Sequence, residues 1–185
     1  EPATGAFAAT GHMSVARVLH TATLLGSGKV LVTGGDDRYH TPYNTAEVFD
    51  PATGLWSHAA NMVVARSAHA ATSLCDGRVL ITGGDVGGLP SAELFNPVSG
   101  TFASTGNMTT FRFFHTATLL QDCKVLLAGG NDSNGVSPTA ELYDPTTGVF
   151  TWTPTEAQGP STNLLTVRVT DNGTPALSDA KAFTV

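Results

Sequence analysis

Arg17, Arg66 and Arg112 each stand three residues before a histidine, His20, His69 and His115, and these histidines lie 49 and 46 residues apart. Histidine titrates near neutral pH and can act as a general base or a metal ligand, while a guanidinium can grip an anionic group at two points. Downstream of each pair comes a glycine doublet, Gly34-Gly35, Gly83-Gly84 and Gly129-Gly130, and then a glutamate, Glu47, Glu93 and Glu141. A reaction needs its general base once. A histidine present in every copy of a repeat belongs instead to the packing of that repeat, so the three are expected in equivalent, more than half-buried places, bonded to backbone and free of metal. The arginines and glutamates are expected to pair within or between the repeating units, because an arginine fork matches a carboxylate. The doublets lack the surroundings of a phosphate loop, and close backbone approach with positive φ accounts for them. No GxSxG elbow occurs. The chain therefore reads as a non-enzyme, with no catalytic residue, metal or other cofactor assigned.

Positions that break the repeat say more about binding, since variable loops on a rigid scaffold carry recognition. After the first doublet come Asp36, Asp37, Arg38, Tyr39, His40 and Tyr43. This mixture suits stacking on a sugar ring or docking a peptide, although a merely solvated loop would read the same way. Asp85 follows the second doublet, and Asn131 and Asp132 follow the third. Cys75 and Cys123 each lie beside an aspartate in an expected hairpin turn. Turns on neighbouring units usually lie beyond the roughly 7 Å Cα separation that a disulfide tolerates, so two free thiols are expected. Neither cysteine has a metal-site spacing around it. Asp171 and Asp179 flank a turn near the C-terminus and read as solvated turn acids rather than calcium ligands.

The elements that position these residues follow from the same period. VLVTGGD, VLITGGD and VLLAGGN recur in phase, as do AEVFDPATGLW, AELFNPVSGTF and AELYDPTTGVF. In the latter set, Pro fixes φ, Asp or Asn caps the bend and Gly accepts positive φ, so each makes a strand, a turn and a further strand. Each unit thus reads as four strands, at 20–25, 29–33, 45–50 and 55–58 in the first, and no stretch has helical periodicity. These marks resemble the kelch repeat, whose glycine doublet, acidic-aromatic strand and closing aromatic make one four-stranded blade of a β-propeller. The resemblance covers residues 1 to about 152. It implies an all-β fold with kelch-type β-propeller blades at 17–58, 66–104 and 112–152, and residues 1–9 as the outer strand of a preceding blade. A ring takes typically four to eight blades, so three leave it incomplete. The chain is expected to be part of a longer array, or to associate through its exposed blade edges.

From residue 153 the pattern changes. Leu165, Val167 and Val169 alternate with polar residues, Asp171-Asn172-Gly173 forms a turn, and Ala182, Phe183 and Val185 follow, which reads as a β-hairpin. Residues 153–185 resemble part of an immunoglobulin-like or cadherin-like domain of large bacterial surface proteins, a partial β-sandwich-like segment. So few strands bury no core of their own.

Charged residues make up only 13% of the chain and the net charge is −6. An ordinary domain carries about 25% charged residues, and here the basic ones are scattered, so nucleic acid is excluded as a partner. No apolar run is long enough to span a membrane, and the absence of an export signal in a chain that starts inside a repeat is uninformative. The reading that unites these observations is a non-catalytic module, secreted or on a bacterial cell surface. It would act through propeller loops and exposed β edges on a protein or glycan ligand, or on further copies of itself. Two alternatives are a subunit of a self-assembling surface filament and a fragment of a galactose oxidase-like copper enzyme. The latter would require Tyr39, Tyr43 or Tyr143 to join histidines around one copper.

Overall fold

A computed structural model describes residues 5, 7–37, 39–84 and 87–152, together with the strand backbones at 164–170 and 178–184. All regular structure among them is β. The chain divides into two compact units, Glu1–Trp152 and Thr153–Val185.

In the first unit, strands β1 (Thr21–Leu24), β2 (Val30–Thr33), β3 (Ala46–Asp50) and β4 (Leu55–His58) form one antiparallel sheet in sequence order. Strands β5 (Ala70–Ser73), β6 (Val79–Thr82), β7 (Ala92–Asn96) and β8 (Thr101–Ser104) form the second. The third begins with β9 (Thr116–Leu119) and β10 (Val125–Ala128), is interrupted by a short ladder of β11 (Asn131–Asp132) with β12 (Gly135–Val136), and finishes with β13 (Ala140–Asp144) and β14 (Val149–Thr151). The turn between the last two strands of each blade forms for a local reason. Asp50, Asn96 and Asp144 each accept a hydrogen bond from the backbone N–H two residues on, at 2.9 Å, and Gly54, Gly100 and Gly148 close the turn with φ near +70°.

The core lies between blades rather than inside them. Strand β6 sends Val79 and Ile81 into one cluster with Leu31, Ala46 and Met62 of the first blade and its linker. Its intervening Leu80 enters a second cluster with Met108, Val125, Leu127 and Tyr143. Alternation along a strand places successive side chains on opposite faces. One run of apolar residues therefore builds two interfaces, each fully buried side chain contributing about 1.5–3 kcal/mol.

This placement corrects the expected histidine environment. His69 and His115 are buried, but His20 is exposed. The ring of His69 reaches into the preceding blade, with Nε2 2.9 Å from Thr21 Oγ1 and 3.0 Å from Thr33 Oγ1, and His115 Nε2 lies 2.8 Å from Thr82 Oγ1. The partners are hydroxyls across a blade interface, not backbone groups, and among the described residues no neighbouring blade offers such hydroxyls to His20.

The glycine doublets divide their work along the same lines. A Cβ on Gly34 would strike the carbonyl of Arg66 and the ring of His69, and one on Gly83 would strike Arg112 and His115 in the same way. At Gly129 the nearest atom to such a Cβ is Ser137 O, 3.7 Å away. All three have positive φ, so any side chain there costs about 1–2 kcal/mol. Gly83→Ala is expected to lose about 3 kcal/mol, because backbone overlap adds to that strain, whereas Gly129→Ala should lose only about 1 kcal/mol. Urea unfolding of both variants in dilute solution checks the difference.

Cys75 and Cys123 form a disulfide with a Cα separation of 5.7 Å, which corrects the expectation of free thiols. Packing of the second and third blades on a shared cluster that includes Leu74 brings their first turns together. Cys75 opens its turn while Cys123, with φ of +65°, closes its own, and that offset spans the gap between blades.

Of residues 1–9, the described ones, Gly5 and 7–9, lie outside any strand, and Phe7 is fully exposed. Among the described residues no ladder takes up this segment. In the second unit, β15 (Leu164–Thr170) pairs antiparallel with β16 (Ser178–Thr184), Leu164 opposite Thr184 and Thr170 opposite Ser178. Two paired strands give no support to an immunoglobulin-like assignment. The turn at 171–173 and the side chain of Asp179 lie outside the described residues.

Candidate functional site

Each repeat arginine is a brace inside its own blade. Arg66 donates to the carbonyls of Gly83 and Ser91 at 2.9 and 3.0 Å, and its Nη2 lies 2.9 Å from Glu93 Oε1. Arg17 bonds Gly34 O at 2.6 Å and Glu47 at 2.9 Å, and Arg112 bonds Gly129 O at 2.8 Å and Glu141 at 2.7 Å. The glutamates in turn accept backbone N–H groups of the incoming linker, from Ser14 (2.8 Å), Val63 (2.7 Å) and Thr109 (2.6 Å). Burial alone would raise the Glu47 pKa, but the bonds from Ser14 and Arg17 outweigh it and hold this carboxyl below its usual range. These arginine and glutamate side chains are spent on structure and offer nothing to a ligand.

Just after each arginine the backbone makes a sharp turn. Leu19, Ala68 and Phe114 all have φ near +55°, uncommon for residues other than glycine and an outlier for bulky ones. A chain of backbone bonds holds them there: Ala68 N–H donates to Leu19 O at 3.0 Å and Phe114 N–H to Ala68 O at 2.9 Å. The chain crosses the blades one after another and turns their side chains towards a shared hollow. That hollow is a cleft of about 640 Å³ lined by Leu19, Ala68, Phe111, Phe113 and Phe114 on one side, with Asp36 and His40 at its margin. Its apolar walls remain open, since Leu19 is 42% exposed and Phe114 58% exposed. The rings of Phe111, Phe113 and Phe114 touch in sequence, with centroids 5.5 and 5.3 Å apart.

The loop residues singled out from the sequence meet different fates. Asp36 is buried and pairs through its backbone with Val18, and its Oδ2 lies 3.8 Å from His40 Nδ1. Asp37 caps its own loop by accepting the Thr41 and Tyr39 N–H groups at 2.9 and 2.7 Å, which lowers its pKa, the Thr41 bond most of all. Tyr39 is exposed, whereas the Tyr43 ring lies under the Arg17 guanidinium, 5.6 Å away, and half-buried. Asn131 exchanges backbone bonds with Phe113 and so positions that ring at the cleft, and Asp132 caps the Asn134 turn at 2.7 Å. Arg38 and Asp85 lie outside the described residues. The phenylalanines of the cleft were missed because two of them sit inside the repeated Arg-x-x-His segment. The available signal was that this segment reads Val-Leu, Ser-Ala and Phe-Phe in its middle positions across the three blades.

Among the described residues no three His, Cys, Asp or Glu side chains gather as a metal site would require. Tyr143 is buried between blades, its hydroxyl 2.8 Å from Thr105 Oγ1, and both cysteines are joined to each other. Tyr143 and the two cysteines are thus engaged separately from one another.

No curated protein matches the chain. Residues 17–63, the first blade with the linker that leaves it, match the family model of the kelch motif. Residues 17–152 form an all-β array of three antiparallel four-stranded sheets, consistent with the kelch-type blade that the match marks at 17–63.

Proposed function

We propose that this chain is a non-catalytic protein-binding module that works outside the cell and takes an apolar segment of its ligand into the Leu19–Phe114 cleft. The kelch motif supports a protein-binding β-propeller module. The observation that carries the finer reading is the cleft itself, with three contiguous aromatic rings, of which Phe114 is held in a strained turn and left facing solvent. Exposed apolar concavities on soluble domains mark binding sites, and central aromatic residues dominate the energy of such contacts. A sugar-stacking platform is less well supported, because Tyr43 is already covered by Arg17. The extracellular location is supported by the disulfide, which persists in oxidising compartments.

Selection of a displayed random-peptide library on the folded chain tests this reading. Enriched peptides are expected to carry apolar anchors and to bind Phe114→Ser at least about tenfold more weakly, corresponding to roughly 1.4 kcal/mol. Phe114 is exposed, so the variant should fold. Failure to enrich any peptide, or binding indifferent to Phe114→Ser, would overturn the proposal.

A further inference from the structure

The buried arginines and carboxylates of the blades pair off, with one exception. Arg17 is matched by Glu47, Arg66 by Glu93 and Arg112 by Glu141, at 2.9, 2.9 and 2.7 Å. Asp36 is buried as they are, at 3% exposed, yet no lysine or arginine among the described residues answers it. Its Oδ1 is enclosed and has no hydrogen-bond partner. Oδ2 faces the His40 ring 3.8 Å away, a side chain that is 86% exposed and charged only when protonated. An ionised carboxylate buried without a partner is costly, and a buried group left unsatisfied in a native fold calls for a reason.

The blade itself does not require the charge. Asp36 holds its place by exchanging backbone bonds with Val18, at 2.9 and 3.0 Å. In the third blade the same place after the glycine doublet belongs to Asn131, which exchanges the same two bonds with Phe113, at 2.8 and 3.0 Å. A neutral side chain serves the fold equally well there. The carboxylate of Asp36 therefore weakens the blade in a way that its local bonds leave uncompensated.

What Asp36 borders supplies the reason. With His40 it lies at the margin of the cleft of about 640 Å³, beside the apolar wall that includes Leu19 and Phe114. No lysine or arginine lines that cleft among the described residues. An apolar and aromatic wall ending at an unpaired carboxylate suits a long aliphatic stem that carries a positive head. The structure assigns this corner of the cleft to a lysine or arginine side chain of the protein ligand, with its stem along the apolar wall and its head on Asp36 once the His40 ring turns aside. The assignment rests on the reading of the cleft as a protein-binding site and adds the chemistry by which that site chooses among ligands. A bond from a cationic donor to a carboxylate is roughly twice as strong as a neutral one, and a buried pair is screened much less by salt than a surface pair.

Displayed random peptides, selected in parallel on the wild-type chain and on Asp36→Asn, test the assignment. The asparagine keeps the backbone bonds, as Asn131 does, and removes the unpaired charge, so the urea midpoint of the variant is expected at or above that of the wild type. Peptides enriched on the wild type should carry a lysine or arginine beside their apolar residues more often than the unselected library. Replacing that basic residue by glutamine should weaken binding to the wild type at least about tenfold and leave binding to Asp36→Asn unchanged. Peptides with apolar anchors and no basic preference, or basic peptides that bind Asp36→Asn as tightly as the wild type, overturn the cation site and leave the apolar cleft standing. A lower urea midpoint for Asp36→Asn makes the carboxylate a structural group and overturns the site as well. A library that enriches nothing, or binding indifferent to Phe114→Ser, overturns the cleft and this assignment with it.

Discussion

Arg66→Met is expected to lose about 3–5 kcal/mol of folding stability, the usual cost of removing one partner from a buried ion pair. Both members are out of solvent, with 0% and 1% of the Arg66 and Glu93 side chains exposed. The arginine also satisfies the Gly83 and Ser91 carbonyls and the Ser91 hydroxyl. Methionine fills much of the same volume, so the loss comes from a carboxylate left charged without its arginine and from the Gly83 carbonyl, whose bond came from Arg66. Against a total stability of about 5–15 kcal/mol, this removes a large share. Adding Glu93→Gln should recover part of the loss, because it removes the buried charge while its amide oxygen can still accept one of the Val63 and Val64 N–H groups, which bond separate carboxylate oxygens of Glu93. Urea unfolding of the single and double variants decides it. A double variant no more stable than Arg66→Met would show that the uncompensated charge is not the origin of the cost.

Acidification should destabilise the blades well before the carboxylates titrate. Burial between blades, reinforced by the positive charge of Arg66, pushes the His69 pKa down to about 3, and burial with Arg112 pushes that of His115 to about 4. In the unfolded chain both titrate near 6.5. Below that pH the unfolded state binds protons that the folded state refuses, so the stability these histidines contribute is fully present above about 6.5 and is lost as the pH falls towards 4. Two such groups amount to a loss on the order of 2 kcal/mol between pH 6 and pH 5. Asp50, Asp76 and Asp144 have lowered pKa values, from Lys29, Arg78 and the Thr146 N–H respectively, and they add to the loss only at lower pH. Urea midpoints at pH 7, 6 and 5 for the wild type and for His69→Gln with His115→Gln provide the measurement. A wild-type profile as flat as that of the double variant would mean that the rings are not sealed between blades.

Much of this molecule was legible in its period. Strand limits expected at 29–33, 45–50 and 55–58 agree within a residue with Val30–Thr33, Ala46–Asp50 and Leu55–His58, because a turn of the Asp-Pro-x-x-Gly kind and the strands beside it are local matters of φ and side-chain alternation. The repetition of Arg, His and Glu also marked them as structural, since no single reaction needs a base three times. Tertiary packing decided the rest. Whether a repeated histidine faces its own strand or its neighbour's threonines depends on how blades stack, and the repeat looks the same in either case. The pairing of Cys75 with Cys123 depends on a distance between turns that are 48 residues apart in sequence and adjacent in space. The phenylalanine cleft depends on which way an αL turn points its side chain, and only the bond chain from Leu19 through Ala68 to Phe114 settles that direction. Residue types and spacing determined the blades, then, and the contacts between blades determined what each repeated residue is for, because those contacts join groups whose separation along the chain carries no information about their separation in space.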